Sequence, residues 1–154
     1  LAHQIEVDYF DKNPLFLGIL NGCFIFVADL LREISFSAEV SFIKLSSYKG
    51  MKSTGRVTRS MNLETLEGRN IIIVEDIVDS GTTLNYFLDE IKASNPASVE
   101  IATLLFKKDA LKHPLDLKYI GFEIPDKFVI GYGLDFDGEG RNLKDIYQLS
   151  HDEH

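Results

Sequence analysis

The residues from Leu15 to Leu20 form a short, almost unbroken apolar run, the pattern of a strand buried on both faces. Asn21-Gly22 breaks that run. Over residues 24–34 the apolar positions Phe24, Val27, Ala28, Leu31 and Ile34 recur at helical spacing, with Asp29, Arg32 and Glu33 left for solvent, so a helix is expected there with the first set facing the core. Val40, Phe42, Ile43 and Leu45 predict a second strand. Residues 46–62 are polar, contain Gly50 and Gly55, show no usable period, and read as a long loop. Residues 70–74 carry three isoleucines and a valine, the strongest strand signal in the chain, and are expected to deliver Glu75-Asp76 at their carboxyl end.

A turn through Asp79-Ser80-Gly81 leads into a predicted helix over residues 82–92, with Leu84, Phe87, Leu88 and Ile91 on one face. Asn95-Pro96 stops it, and residues 99–106 predict another strand ending at Lys107. Shorter strands are expected at 119–122, 128–132 and 146–149. Alternating strands and helices specify an α/β fold with a mostly parallel sheet. Such sheets bind ligands outside the carboxyl ends of their strands, which here carry Asn21-Gly22, Glu75-Asp76 and Lys107.

At 154 residues, 45% of them hydrophobic, the chain suits a single domain, 1–154. It starts at Leu1 rather than methionine, and further native residues are expected upstream. No apolar stretch approaches the ~18 residues of a membrane span. A net charge of −8 without a long basic run gives a nucleic-acid backbone little to hold, so neither a membrane nor a nucleic acid is the expected partner. The single cysteine, Cys23, excludes an intrachain disulfide and reads as a small buried hydrophobe; a cytoplasmic setting is expected. An acidic protein can still bind an anionic small molecule through backbone amides and a divalent cation.

The segment VEDIVDSGTT, residues 74–83, has the composition for that task. A strand ends in two carboxylates, and a turn of small hydroxyl residues then opens a helix whose free N–H groups and dipole favour a phosphate. There is no Gly-Lys-Ser/Thr ending and no GxGxxG, so neither a nucleoside-triphosphate loop nor a dinucleotide site is indicated. Adjacent ionised carboxylates are pure acceptors and match the two donors of a vicinal diol. Phosphate and diol together describe ribose 5-phosphate. Each residue also has a plain structural reading. Asp79 suits a helix N-cap, Lys107-Lys108 a surface strand end, and Phe128 a core aromatic.

VEDIVDSGTT resembles the signature of the type I phosphoribosyltransferases, and its Glu-Asp-Ile-Val-Asp-Ser-Gly form resembles the hypoxanthine-guanine branch. LSSY at 45–48, STG at 53–55, LLFKK at 104–108, GFEIPDKFVIGYGLD at 121–135 and RNL at 141–143 resemble that family in the same order. The resemblance implies a twisted, mostly parallel sheet flanked by helices, with a small hood over the site. It implies transfer of a phosphoribosyl group from phosphoribosyl pyrophosphate to hypoxanthine or guanine, giving IMP or GMP and pyrophosphate with Mg2+. A homodimer or homotetramer is the assembly it implies.

By the same resemblance Glu75 and Asp76 would hold the ribose hydroxyls, directly or through magnesium, and Asp79, Ser80, Gly81, Thr82 and Thr83 the 5-phosphate. Asp79 would also be the general base or acid at N7 of the purine. Lys107 would donate to the 6-oxo oxygen, Phe128 would stack on the base, and the backbone of Val129 would read its edge. Asp135 would lie at the base and on the metal. Arg141 and the Asn21-Gly22 turn would bind pyrophosphate, although Asn21 stands where related enzymes often carry a lysine or arginine. Ser47 and Tyr48 would begin a loop that closes over the site. Other implied possibilities are a different base, xanthine or adenine, or a regulator that binds nucleic acid; the charge of −8 and the intact acids weigh against the regulator.

Overall fold

A computed structural model of the chain describes residues 1–45 and 63–150; the expected loop, with Ser47 and Tyr48, lies outside the described residues. Five strands, β1 (Leu15–Leu20), β2 (Glu39–Lys44), β3 (Asn70–Val78), β4 (Ser98–Phe106) and β5 (Tyr119–Glu123), form a sheet in the order β2-β1-β3-β4-β5, with every neighbouring pair parallel. Alternation along the strands sends side chains to two separate cores. Leu15, Leu17, Ile71, Ile73 and Ile101 meet Leu84, Phe87, Leu88 and Ile91 of α3 (Thr82–Lys92) on one face. Phe16, Ile72, Val74 and Ala102 meet α1 (Ala2–Tyr9) and α2 (Phe24–Arg32) on the other. Both faces are covered, which is why the central strands read as continuous apolar runs.

The chain runs outward from β1 to β2 and then returns past β1 to β3, so the strand order reverses between β1 and β3. A crevice at the carboxyl ends is the geometric result. The pairing of β1 with β3 runs from Leu15–Ile71 to Gly18–Val74, whereas β3 continues beside β4 as far as Val78–Phe106. The last four residues of β3, Glu75 to Val78, therefore extend past their register with β1.

Two expectations change in detail, and one helix, α1, was not expected. The acidic pair does not follow β3 but lies within it, because the backbone goes on pairing with β4 through Glu75–Thr103 and Ile77–Leu105. Helix α2 buries Phe26, Val27 and Leu30, with Ile34 beyond its end, and turns Phe24 and Ala28 outward. Four consecutive apolar residues, Phe24 to Val27, leave the helical phase ambiguous, and packing on Phe16 and Ile72 selects it. Helix α1 carries only Ile5 and Tyr9 as buried residues, one turn apart, too sparse a stripe to mark it in advance. A second, two-stranded antiparallel sheet, β6 (Val129–Ile130) with β7 (Tyr147–Gln148), lies within two of the segments expected to be strands.

Candidate active site

Residues at the ends of β1, β3 and β4 build one concave region. At its centre Glu75 and Asp76 are part-buried. Burial first, and then the charge of Asp76 beside it, hold Glu75 well above the usual carboxylate range. Burial also raises Asp76, against the pull of the Ile77 and Asp76 backbone N–H groups, the Glu75 side chain and the Arg141 charge. Two carboxyls crowded in this way are relieved by a cation or by strong donors. The same environment acts on Cys23, wholly buried behind them, whose thiol is pushed up to about 12 by burial and by both acids. Cys23 is the inert core residue its composition suggested.

The Asn21-Gly22 turn lies directly against this pair, after a cis Leu20–Asn21 peptide. A Cβ on Gly22 would stand 2.0 Å from Asp76 Oδ2 and 2.7 Å from its Cγ, so the turn and the acid share space that only glycine leaves free. The carboxyl end of Asp76 can swing aside, so Gly22→Ala is expected to fold. The displacement costs about 1–2 kcal/mol. A thermal melt should show the corresponding drop in stability; an unchanged Tm would show that the turn and the acid do not compete for this space.

Beyond the pair, Glu75, Val78, Asp79, Ser80, Thr82 and Thr83 are among the residues lining a cavity of about 170 Å³ at the start of α3. The alternative, structural reading of Asp79 as the cap of this helix does not hold. Gly81 is the N-cap, in a left-handed conformation with φ of 75°, and itself offers no side chain to cap the helix. Ser80 Oγ accepts from the Thr82 N–H at 3.3 Å and donates to Thr82 Oγ1 at 3.2 Å. The remaining first-turn N–H groups have no intrahelical acceptor, as in any helix, and they border a cavity floored by small hydroxyl residues.

Asp79, released from capping, turns toward β4. Its Oδ2 lies 3.3 Å from Lys107 Nζ, and Asp126 Oδ1 approaches the same ammonium at 3.6 Å. Lys107 is only 6% exposed, and its backbone N–H donates to the Val78 carbonyl, so it is not a snorkelling surface lysine. Asp79 and Asp126 are 56% and 60% exposed at their side chains and stay solvated. A buried ammonium is thus held between two open carboxylates at the mouth of the site.

Residues 128–141 reach the Gly22 turn through Gly133. Phe128 is 45% exposed and meets Phe136 edge-on at 5.5 Å, so it is not core. Val129 sits in β6, beside Gln148. Arg141 donates to the Gly133 carbonyl at 2.6 Å and pairs with Asp135 at 3.3 Å, while Asp135 accepts from the Gly138 N–H at 2.9 Å. A Cβ on Gly133 would stand 2.3 Å from the Gly22 carbonyl oxygen. Gly22 thus lies against both Asp76 and Gly133, and Arg141, paired with Asp135, is near enough for its charge to act on Asp76.

Two features carried no sequence signal. Asp126 lies in a short Pro-Asp-Lys stretch that reads as an ordinary turn, and Tyr132 donates from its hydroxyl to Asp29, a residue 103 positions away. Among the described residues no three His, Cys, Asp or Glu side chains form a metal cage by themselves.

The sequence matches the phosphoribosyl transferase domain over residues 1–137. It is 43% identical over 155 residues to the hypoxanthine-guanine phosphoribosyltransferase of Dictyostelium discoideum, covering 97% of this chain and 86% of the relative. It is 42% identical over 147 residues to the hypoxanthine-guanine-xanthine phosphoribosyltransferase of Tritrichomonas foetus, covering 93% and 79%. The fold superposes on a crystal structure of a Bacillus anthracis hypoxanthine-guanine phosphoribosyltransferase with a TM-score of 0.87 and 38% identity, over 97% of this chain and 89% of the other. With the strand order, the acid pair and the helix-start cavity all in register with the signature segment, the chain belongs to the hypoxanthine-guanine phosphoribosyltransferase family of type I phosphoribosyltransferases.

Proposed function

We propose that the protein transfers the 5-phosphoribosyl group of phosphoribosyl pyrophosphate to N9 of hypoxanthine or guanine, yielding IMP or GMP and pyrophosphate. The observation that carries the reading is the placement of Lys107, a buried ammonium between Asp79 and Asp126, one strand away from the acid pair and the helix-start cavity at the end of β3. A lysine offers donors only. It favours a purine with an acceptor at position 6 over adenine, whose 6-amino group is itself a donor.

In this reading the N-terminus of α3 and Ser80, Thr82 and Thr83 bind the 5-phosphate, and Glu75 and Asp76 accept from the ribose hydroxyls. Arg141 and the Gly22 turn hold the pyrophosphate, whose departure breaks its bond to C1′ as the bond from N9 to C1′ forms. Asp79 takes the proton that the purine must lose, through N7. Phe128, half-exposed beside this mouth, supplies a face for the base, and the Val129 backbone its edge contacts. Water is excluded because an oxocarbenium-like ribose would otherwise be hydrolysed.

Magnesium fits the donor set. Two crowded, raised carboxyls beside a phosphate site are a hard-oxygen environment, and this ion characteristically uses one or two carboxylates together with ligand phosphates rather than a full protein cage. Glu75 and Asp76 would hold it, with Asp135 on the pyrophosphate side, and it would neutralise the donor's charge. Calorimetric titration with phosphoribosyl pyrophosphate tests this directly. Binding should weaken at least tenfold when EDTA replaces Mg2+; equal affinity in both would remove the metal from the account.

A further inference from the structure

Residues 131–133 are an unstable piece of backbone on their own. Gly131, Tyr132 and Gly133 have φ of 98°, 51° and 99°, three successive residues on the left-handed side. Glycine tolerates this, but for a tyrosine such a conformation persists only where its surroundings hold it. Two contacts do so. The Tyr132 N–H donates to the Leu143 carbonyl at 2.9 Å, and the Tyr132 hydroxyl donates to Asp29 on α2. Burial, and then the hydrogen bond and charge of Asp29, push that hydroxyl up to about 12, so it remains a donor throughout the working pH range.

The far end of this contact matters more than its strength. Helix α2 begins at Phe24, directly after the Asn21-Gly22 turn, and Asp29 lies about one and a half turns into it. Tyr132 is the immediate neighbour of Gly133, whose α-carbon approaches the Gly22 carbonyl and whose own carbonyl accepts from Arg141. A short mechanical circuit results: Gly22 to Asp29 along α2, Asp29 to Tyr132 through the hydrogen bond, Tyr132 to Gly133 along the chain, and Gly133 back to Gly22 by contact. We propose that Tyr132 and Asp29 act as a latch, a pair of positioning residues that sets Arg141 and Gly133 against the Gly22 turn and so preorganises the pyrophosphate subsite. Neither residue touches the reacting atoms. This inference rests on the reading of Gly22 and Arg141 as pyrophosphate groups.

The test uses Y132F, D29A, D29N and the double variant Y132F/D29A. Tyr132→Phe keeps the ring and its packing, and Asp29→Asn keeps an acceptor oxygen. Y132F and D29A should each weaken pyrophosphate binding, read by calorimetry with Mg2+, and raise KM for phosphoribosyl pyrophosphate by about three- to tenfold, the worth of one modest hydrogen bond. KM for the purine should stay within twofold. The double variant should be no worse than either single one, and D29N should restore most of the loss. A purely structural contact would lower Tm and leave the split between the two substrates unchanged. Wild-type pyrophosphate affinity in Y132F and D29A, or additive losses in the double variant, would overturn the latch. Failure of the wild-type protein to bind pyrophosphate would instead count against the subsite it is proposed to serve.

Discussion

Asp79→Asn lowers kcat by about 10²- to 10⁴-fold, the range of a lost general base, while KM for phosphoribosyl pyrophosphate stays within a few-fold. The substitution keeps shape and hydrogen-bonding capacity but removes the charge that, in the proposed function, takes the proton from the purine. The fold has no reason to suffer. Asp79 does not cap α3, since Gly81 does, and its side chain is more than half exposed. The buried Lys107 ammonium is not stranded either, because Asp126 remains 3.6 Å away to balance it. Steady-state kinetics with each substrate varied, beside a thermal melt, separates these effects. Undiminished kcat in a well-folded variant would remove Asp79 from the proton transfer.

Lys107→Met has its effect on the other substrate. It removes the ammonium proposed to donate to the 6-oxo group, and a hydrogen bond to a charged partner contributes about 1.5–3 kcal/mol. KM for hypoxanthine and guanine should rise about 10- to 100-fold. The preference over adenine should fall by a similar factor, because the group that opposes a 6-amino donor is gone. Methionine fills much of the lysine's volume in a site that is almost fully enclosed. The carboxylates left behind, Asp79 and Asp126, are open to water and bear their charge without a partner, so stability should change little. Purine KM values and an adenine control measure this. A variant with unaltered KM and unaltered selectivity would return Lys107 to a structural role, held there only by its two acids.

What the sequence made legible follows from how local each signal is. Strand β1 and helix α3 begin and end where their hydrophobic patterns do, because a buried parallel strand and an amphipathic helix are written in consecutive residues. Strand β3 was underestimated for the converse reason. Glu75 and Asp76 look like the end of a strand by composition, yet a strand is defined by its neighbour, and β4 keeps pairing to Phe106. The strand ends and the hydroxyl-rich turn located the acids, the helix-start cavity and Lys107, and the resemblance added the roles it implies for them. The partners of those residues are another matter. Asp126 meets Lys107 across two strand ends, and Tyr132 meets Asp29 across 103 residues. Neither pair has a local pattern from which it can be read.

The same distinction separates the three bland readings of single residues. As a cap for α3, Asp79 was a reasonable expectation, and the left-handed Gly81 displaced it. Phe128 as core was reasonable by residue type, but it stands half-exposed, edge-on to Phe136. For Lys107 the burial is decisive. Lysine is seldom so enclosed unless paired, and here it has two partners at the carboxyl end of a central strand.

Nucleotide formation from phosphoribosyl pyrophosphate, measured in parallel with hypoxanthine, guanine, xanthine and adenine, first with Mg2+ and then with chelator, is the most direct test of the central claim. The account predicts magnesium-dependent IMP and GMP with little AMP. AMP formed as readily as IMP, or no nucleotide from any base by a protein that still binds the pyrophosphate donor, would contradict it.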